Sequence, residues 1–173
     1  PCLLIKTDKR RSLSGWDLEA LAKRWGIASH TKILDGETSP RDMAEIYNNM
    51  DVFLSVSEWE GFCIPVIEAM ACGVPVIARK GQGPGELVPN EALLLKSECL
   101  YDQQPQDILG KLDTTEEFIP TRVDPEEAAE LLYRLAENDD LRIRSAQQGR
   151  SIAIEHFSIT KVAESWRDLI FFR

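Results

Sequence analysis

The sequence has few of the residues that build metal centres and disulfide frameworks. Its 173 residues include four cysteines and two histidines, with no CxxC pair, no zinc-ligand spacing and no Asp-x-Asp pair. The cysteines therefore indicate reduced thiols, not a disulfide-stapled domain or a zinc site. There is also no Asn-x-Ser/Thr site. Together these absences predict a cytoplasmic protein.

Long apolar runs and an excess of basic charge are missing as well. The apolar runs are only a few residues long, so we predict no transmembrane segment. The formal net charge of −9 argues against nucleic acid as a partner, because such binding needs a basic face. What is present, 43% apolar and 28% charged residues, is typical of a globular protein.

Short apolar runs alternate with amphipathic stretches from residue 2 to residue 78. The apolar runs predict strands at Cys2–Lys6, Lys32–Leu34, Val52–Val56 and Pro75–Ala78. The periodic stretches predict helices at Asp17–Trp25, after an N-cap at Ser39, and from Pro65 to Gly73. This order predicts an α/β fold, a doubly wound, Rossmann-like parallel sheet with helices on both faces.

The second half of the chain has a different character. Residues 96–123 lack a clean period, and we interpret them as an insertion or long surface loop with a short helix around Asp107–Leu112. Residues 124–173 predict C-terminal helices, the first of which begins at Asp124 with a capping box to Glu127. We expect residues 1–173 to form a single domain.

The loop between Val56 and Pro65 is the candidate site, because ligands of open α/β sheets bind outside the carboxyl ends of the strands. Glu60 and Gly61 precede the helix that begins near Pro65, and Glu68 lies about one turn inside it. Carboxylates are strong acceptors for paired sugar hydroxyls. Gly61 permits close approach to the backbone, and a helix N-terminus favours an anion such as a diphosphate. This combination suits a nucleotide-sugar.

Several motifs between residues 33 and 95 fall in one order: ILDG, PRDMAEIYNNMDVFLSVS, EGFCIPVIEAMACGVPVIA and GPGELV. Together they resemble the donor-binding domain of family-4 glycosyltransferases, which are retaining enzymes. The resemblance implies the C-terminal half of a GT-B glycosyltransferase. Such an enzyme transfers a hexose from a UDP- or GDP-linked donor to a saccharide, lipid or other acceptor, with no metal and no cofactor.

Matched by position, the resemblance also implies roles for individual residues. Glu60 would be the catalytic residue, contacting the hydroxyls of the donor sugar and aligning the anomeric carbon, and Glu68 would bind the ribose hydroxyls. Backbone groups of Gly61, Phe62 and Cys63 would lie along the sugar and the diphosphate. The family has a glycine where this chain has Cys63. If that position needs a positive φ, the cysteine costs about 1 kcal/mol of strain.

The residues expected to hold the base and the phosphates match the family less well. The base would lie near Leu34. The family's diphosphate clamp comes from a first strand and the turn after it, whereas the similarity here begins at the second strand, CLLIK. Lys6, Arg79 and Lys80 are then the cations expected near the pocket. Lys80 is the candidate phosphate ligand, although Arg79 and Lys80 are equally compatible with solvated loop charges.

We therefore expect the first strand and the acceptor-binding N-terminal domain to be missing from this chain, and the chain alone to bind donor weakly and show no turnover. The missing domain would bind the acceptor and could bring the protein to the cytoplasmic face of a membrane. Two alternatives stay open. The chain could be a non-catalytic sugar-nucleotide-binding module within a larger assembly, or a glycosyltransferase-like protein that acts through a partner bound at residues 96–123.

Overall fold

The computed structural model describes residues 1–7, 17–57, 60–81, 83–99 and 121–171. The chain divides into two compact units, Pro1–Met43 and Ala44–Arg173, and each is described by itself. The helix predicted at Asp107–Leu112 lies outside the described residues.

The first unit contains a parallel strand pair and the helix between its strands. Strand β1 (Leu3–Thr7) pairs with β2 (Thr31–Asp35). Helix α1 (Leu18–Arg24) begins at the N-cap Asp17, whose carboxylate accepts a hydrogen bond from the Ala20 N–H. The predicted strand–helix–strand order is therefore confirmed here.

Helix α2 (Pro40–Asn48) begins where the sequence places its N-cap. The Ser39 hydroxyl accepts a hydrogen bond of 3.2 Å from the Asp42 N–H. Pro40 occupies the first turn, where a missing N–H costs nothing because that donor has no partner within the helix.

The second unit is built on a three-stranded parallel sheet in the order β3 (Phe53–Ser55), β4 (Val76–Arg79) and β5 (Leu94–Leu95). Helix α3 (Ile64–Ala71) connects β3 to β4, and α4 (Gly83–Leu87) follows β4. Every residue of β4 is buried, as expected for a strand paired on both sides in a parallel sheet. The alternation predicted up to residue 78 is confirmed.

Beyond the sheet, the chain forms an antiparallel strand pair and then helices. Strand β6 (Ser97–Cys99) pairs with β7 (Thr121–Val123), so the two ends of the predicted insertion lie side by side. The later helices are α5 (Pro125–Glu137), α6 (Asp139–Phe157) and α7 (Ile159–Phe171). None of the helices in the described ranges has both the length and the apolar character needed to cross a bilayer.

The cap of α5 differs in one detail from the predicted capping box. The Asp124 carboxylate accepts from the Glu126 N–H at 2.9 Å, so Asp124 is the N-cap as predicted. The Glu127 carboxylate instead accepts from the Lys96 N–H at 3.0 Å. The Glu127 side chain therefore bonds a backbone N–H of the segment before β6, and not the N–H of its own helix cap.

The core of the second unit is centred on α3. Val66, Ala69 and Met70 are buried, whereas Ile67 and Ala71, which are also apolar, are only half-buried. Because α3 is apolar on most of its surface, periodicity could not select the inner face. That face is defined by α6, where a β-carbon at Gly149 would lie 3.2 Å from Met70 Cγ.

Candidate functional site

The candidate site lies at the carboxyl ends of two neighbouring strands. Strands β3 and β4 are parallel and paired, so the segments that follow Ser55 and Arg79 leave the same edge of the sheet. These segments meet closely. A β-carbon at Gly83, the first residue of α4, would lie 1.7 Å from the Gly61 carbonyl oxygen. The loop that carries Glu60 and Gly61 is therefore seated against the start of α4.

The two glutamates differ in their surroundings. Glu60 is half-buried in the loop before α3, and Glu68 is an exposed residue within α3. The Tyr47 hydroxyl donates a hydrogen bond of 3.0 Å to Glu68 Oε2. Both carboxylates thus belong to a single loop-and-helix segment, as the sequence predicts, and one of them is held by a side chain from α2.

Cys63, at the N-cap of α3, adopts the left-handed conformation with φ 61° and ψ 73°. The sequence predicts strain at Cys63 if its φ is positive, and its φ is positive. Among the described residues, Cys63 is the one non-glycine residue with a positive φ. The left-handed region costs an L-residue roughly 1–2 kcal/mol.

The Cys63 thiol is buried, and its sulfur lies 3.9 Å from Ser55 Oγ. Burial raises the pKa of this thiol, and the nearby carboxylate of Glu60 raises it further. Since the thiolate is the reactive form, the raised pKa makes this thiol less reactive than a free cysteine, and its burial makes it a small apolar group at the site.

Tyr47 is a residue of the candidate site that sequence reasoning missed, since its hydroxyl contacts Glu68. Tyr47 lies on α2 and is buried, with 3% of its surface exposed. Its ring packs edge-on against Phe53, with the centroids 5.9 Å apart. The residue type could have indicated this contact. A buried tyrosine hydroxyl usually has a hydrogen-bond partner, so a tyrosine on the buried face of a helix predicts a polar neighbour.

Arg79 is not the solvated loop charge that the sequence allowed. It is the last residue of β4 and is only 2% exposed. One guanidinium nitrogen donates to the Ser57 carbonyl oxygen at 3.1 Å, while Nε has no partner among the described residues. Arg79 therefore holds the segment after β3 by a hydrogen bond to its backbone. Lys80, the next residue, is exposed at the end of β4.

Phe62 lies at the edge of the site and is 49% exposed. Its ring meets Phe157 of α6 edge-on, with the centroids 5.6 Å apart, so part of it packs against the C-terminal helices and part remains open. Trp59, the aromatic residue that precedes Glu60 in the sequence, lies outside the described residues.

Leu34, predicted near the base, belongs to the first unit. It is half-buried on β2 and is paired in register with Lys6. The Lys6 ammonium donates to the Gly36 carbonyl oxygen. Within the described ranges there is also no group of three or more His, Cys, Asp or Glu side chains that could hold a metal ion.

The sequence pattern of the family described as "Glycosyl transferases group 1" matches residues 16–152. The chain therefore belongs to the group 1 glycosyl transferases. The GDP-mannose-dependent alpha-mannosyltransferase of Mycobacterium tuberculosis (strain CDC 1551 / Oshkosh) is 43% identical over 86 residues, which is 49% of this chain and 23% of that protein. The probable sucrose-phosphate synthase of Thermosipho melanesiensis is 39% identical over 92 residues, which is 51% of this chain and 21% of that protein.

Solved structures confirm the fold. HepE from Anabaena, crystallised with UDP and glucose, superimposes with a TM-score of 0.71 at 18% identity, over 99% of this chain and 41% of that one. The C-terminal domain of a glycosyl transferase group 1 family protein from Francisella tularensis gives a TM-score of 0.57 at 20% identity, over 83% of this chain and 62% of that one. The predicted α/β fold, matching one half of a GT-B glycosyltransferase, is thus confirmed.

Proposed function

We propose that this chain is the donor-binding part of a retaining hexosyltransferase, with a nucleotide-diphospho-sugar as donor. The observation that carries the proposal is the shared position of Glu60 and Glu68 on the loop and helix that follow β3. Membership of the group 1 family supports the transferase class. Relatives named for GDP-mannose, and a similar fold crystallised with UDP, support a donor of either nucleotide.

Under this proposal, the two glutamates bind different parts of the donor. Glu68 accepts hydrogen bonds from the ribose hydroxyls, and Glu60 accepts from the hydroxyls of the hexose and aligns the anomeric carbon. Charge-assisted hydrogen bonds are about twice as strong as neutral ones, so a carboxylate suits each task. The half-buried position of Glu60 supports its role, because partial removal from water strengthens such a bond.

The backbone of Gly61, Phe62 and Cys63 would lie along the sugar and the diphosphate. Lys80, exposed at the end of β4, would meet part of the phosphate charge. A helix N-terminus at an exposed site contributes only about 0.3–1 kcal/mol, so further cations would be needed for the leaving group.

The chemical step we propose is a substitution on one face of the sugar. The bond between the anomeric carbon and the phosphate oxygen breaks, the acceptor oxygen bonds to the same face, and its proton passes to the departing phosphate. No metal and no cofactor takes part. The acceptor would be held by a further domain, because the matched segments span only 23% and 21% of the two relatives named above. A cytoplasmic location fits the composition.

Ligand titrations of the chain, followed by NMR to capture weak binding, test the donor assignment. UDP, GDP, UDP-glucose and GDP-mannose are compared on the wild type and on Glu60→Gln, Glu68→Gln and the exposed control Glu130→Gln. Loss of a hydrogen bond to a charged group is worth about 1.5–3 kcal/mol, or roughly ten- to a hundredfold in affinity. Glu68→Gln should weaken all four ligands, whereas Glu60→Gln should weaken only the sugar nucleotides.

Unchanged affinities in both glutamate variants would contradict the assignment. Turnover separates the transferase from its main alternative, a non-catalytic sugar-nucleotide-binding module, since both bind donor. That measurement needs the chain together with an acceptor-binding domain, and NMR of the product reports whether the anomeric configuration is retained. Turnover by the 173-residue chain alone would contradict the expectation that it is inactive by itself.

A further inference from the structure

A hydrogen bond ties the core of the second unit to one of the two site glutamates. The Tyr47 hydroxyl donates to Glu68 Oε2 at 3.0 Å. These residues lie 21 positions apart, on α2 and α3, so the bond joins two different elements of the fold. Tyr47 is buried, whereas Glu68 is exposed. A buried donor thus holds an acceptor at the protein surface.

Packing fixes the position of the donor. With 3% of its surface exposed and its ring edge-on against Phe53 at 5.9 Å, Tyr47 has little freedom to reorient. Burial raises the pKa of Tyr47, and the hydrogen bond to Glu68 raises it further. The hydroxyl therefore keeps its proton at working pH and always acts as a donor toward the carboxylate.

The bond leaves most of the Glu68 carboxylate available. An ionised carboxylate has about four acceptor sites on its two oxygens, and a single donor occupies one of them. Within the described part of the chain, Tyr47 is the side chain observed to hydrogen-bond that carboxylate. Oε1 and the remaining lone pairs can still accept from a ligand.

We propose that Tyr47 is a positioning residue that fixes the rotamer of Glu68, so that the carboxylate is already oriented when the ribose hydroxyls of the donor arrive. The inference rests on the proposed function, since it assigns Tyr47 a task in the same site. Holding a flexible side chain in place before binding removes the ordering cost that it would otherwise incur.

The test compares Tyr47→Phe with the wild-type chain and with Tyr133→Phe, which removes a hydroxyl from a tyrosine that is 62% exposed on α5. Each protein is titrated with the nucleoside diphosphate that the wild type binds better, UDP or GDP, and with the 2′,3′-dideoxy analogue of the same compound. Phenylalanine keeps the ring contact with Phe53, so the fold is retained. Urea denaturation checks this for each variant.

We expect Tyr47→Phe to weaken binding of the ribose form about threefold to tenfold, from the cost of ordering one side chain. Binding of the dideoxy analogue should be unchanged, and Tyr133→Phe should match the wild type with both ligands. In the Glu68→Gln background, Tyr47→Phe should cause less loss than it does alone, because the two residues act as a unit.

Equal affinity of Tyr47→Phe and wild type for the ribose form would overturn the inference while leaving the proposed function in place. Equal losses for the ribose and dideoxy forms would also overturn it, since a purely structural defect acts on both ligands. A wild-type chain that binds neither UDP nor GDP would instead remove the proposed function and the inference with it.

Discussion

Gly83 lies so close to Gly61 that a β-carbon at position 83 would come within 1.7 Å of the Gly61 carbonyl oxygen and 2.6 Å of its carbonyl carbon. The relationship is one-sided, because a β-carbon at Gly61 would meet nothing within 4 Å. Position 83 therefore requires glycine if the Glu60 loop is to rest on α4. Position 61 has room for a side chain.

Gly83→Ala should damage both stability and binding. The new methyl would have to push apart two backbone segments, and overpacking of this kind costs about 1–3 kcal/mol. We expect urea denaturation to show a loss of at least that size, and NMR titration to show weaker nucleotide binding. A variant with wild-type stability would mean that α4 and the loop separate easily.

Gly61→Ala should affect ligand affinity without lowering the stability of the fold. Gly61 is not among the positive-φ glycines and has open space beside it, so alanine should leave the free energy of unfolding unchanged or raise it by about 0.4–1 kcal/mol. If the donor passes close to this backbone, as proposed, the methyl should lower its affinity in the same titrations. Undiminished affinity would show that the donor does not approach residue 61.

Cys63→Gly and Cys63→Ala should differ in stability because of φ alone. Both changes remove the buried sulfur, but only alanine keeps a β-carbon in the left-handed conformation with φ 61°. That conformation costs roughly 1–2 kcal/mol, against about 0.5–1 kcal/mol for the extra flexibility of glycine when unfolded. Urea denaturation should therefore find Cys63→Gly the more stable of the two by about 0.5–1 kcal/mol.

The control for this pair is Ala129→Gly, at an exposed position inside α5. There the backbone is helical, and glycine should be the less stable residue by about 1 kcal/mol. The same sign at both positions would contradict the assignment of strain to Cys63.

Tyr47 should make the chain sensitive to alkaline pH. Its folded pKa is raised above the unfolded value of 10.0, so the folded state holds the proton more tightly. This contribution to stability is fully present below pH 10 and is lost as the pH rises toward the folded pKa. By pH 11 the wild type should lose about 1.4 kcal/mol relative to Tyr47→Phe. Urea denaturation of wild type and Tyr47→Phe at pH 9 and pH 11 measures this loss of stability. Wild type and Tyr133→Phe should show no such pH-dependent difference.

The order of strands and helices up to residue 78 was predictable because each element is specified within a few neighbouring residues. The caps at Asp17, Ser39 and Asp124 follow the same rule, since each side chain bonds a backbone N–H two or three residues away. Glu60 and Glu68 were found because they occupy fixed positions in a single motif that runs along the chain.

What the sequence did not specify depends on residues far apart in the chain. The inner face of α3 packs against Gly149 of α6, and the buried side chain of Arg79 contacts the Ser57 carbonyl, 22 positions away. The hydrogen bond from Tyr47 to Glu68 spans 21 positions. Local sequence propensity carries no information about contacts between residues that are far apart in the chain.

The sequence by itself therefore determined the kind of fold, its element order and the two carboxylates of the candidate site. Only the tertiary structure decided what surrounds those carboxylates: the Tyr47 hydroxyl from α2 donates to Glu68, and the loop that carries Glu60 packs against Gly83. The reason is physical. Periodicity and capping act over one or two turns of chain, whereas the orientation of a site depends on close packing between elements that only folding brings together.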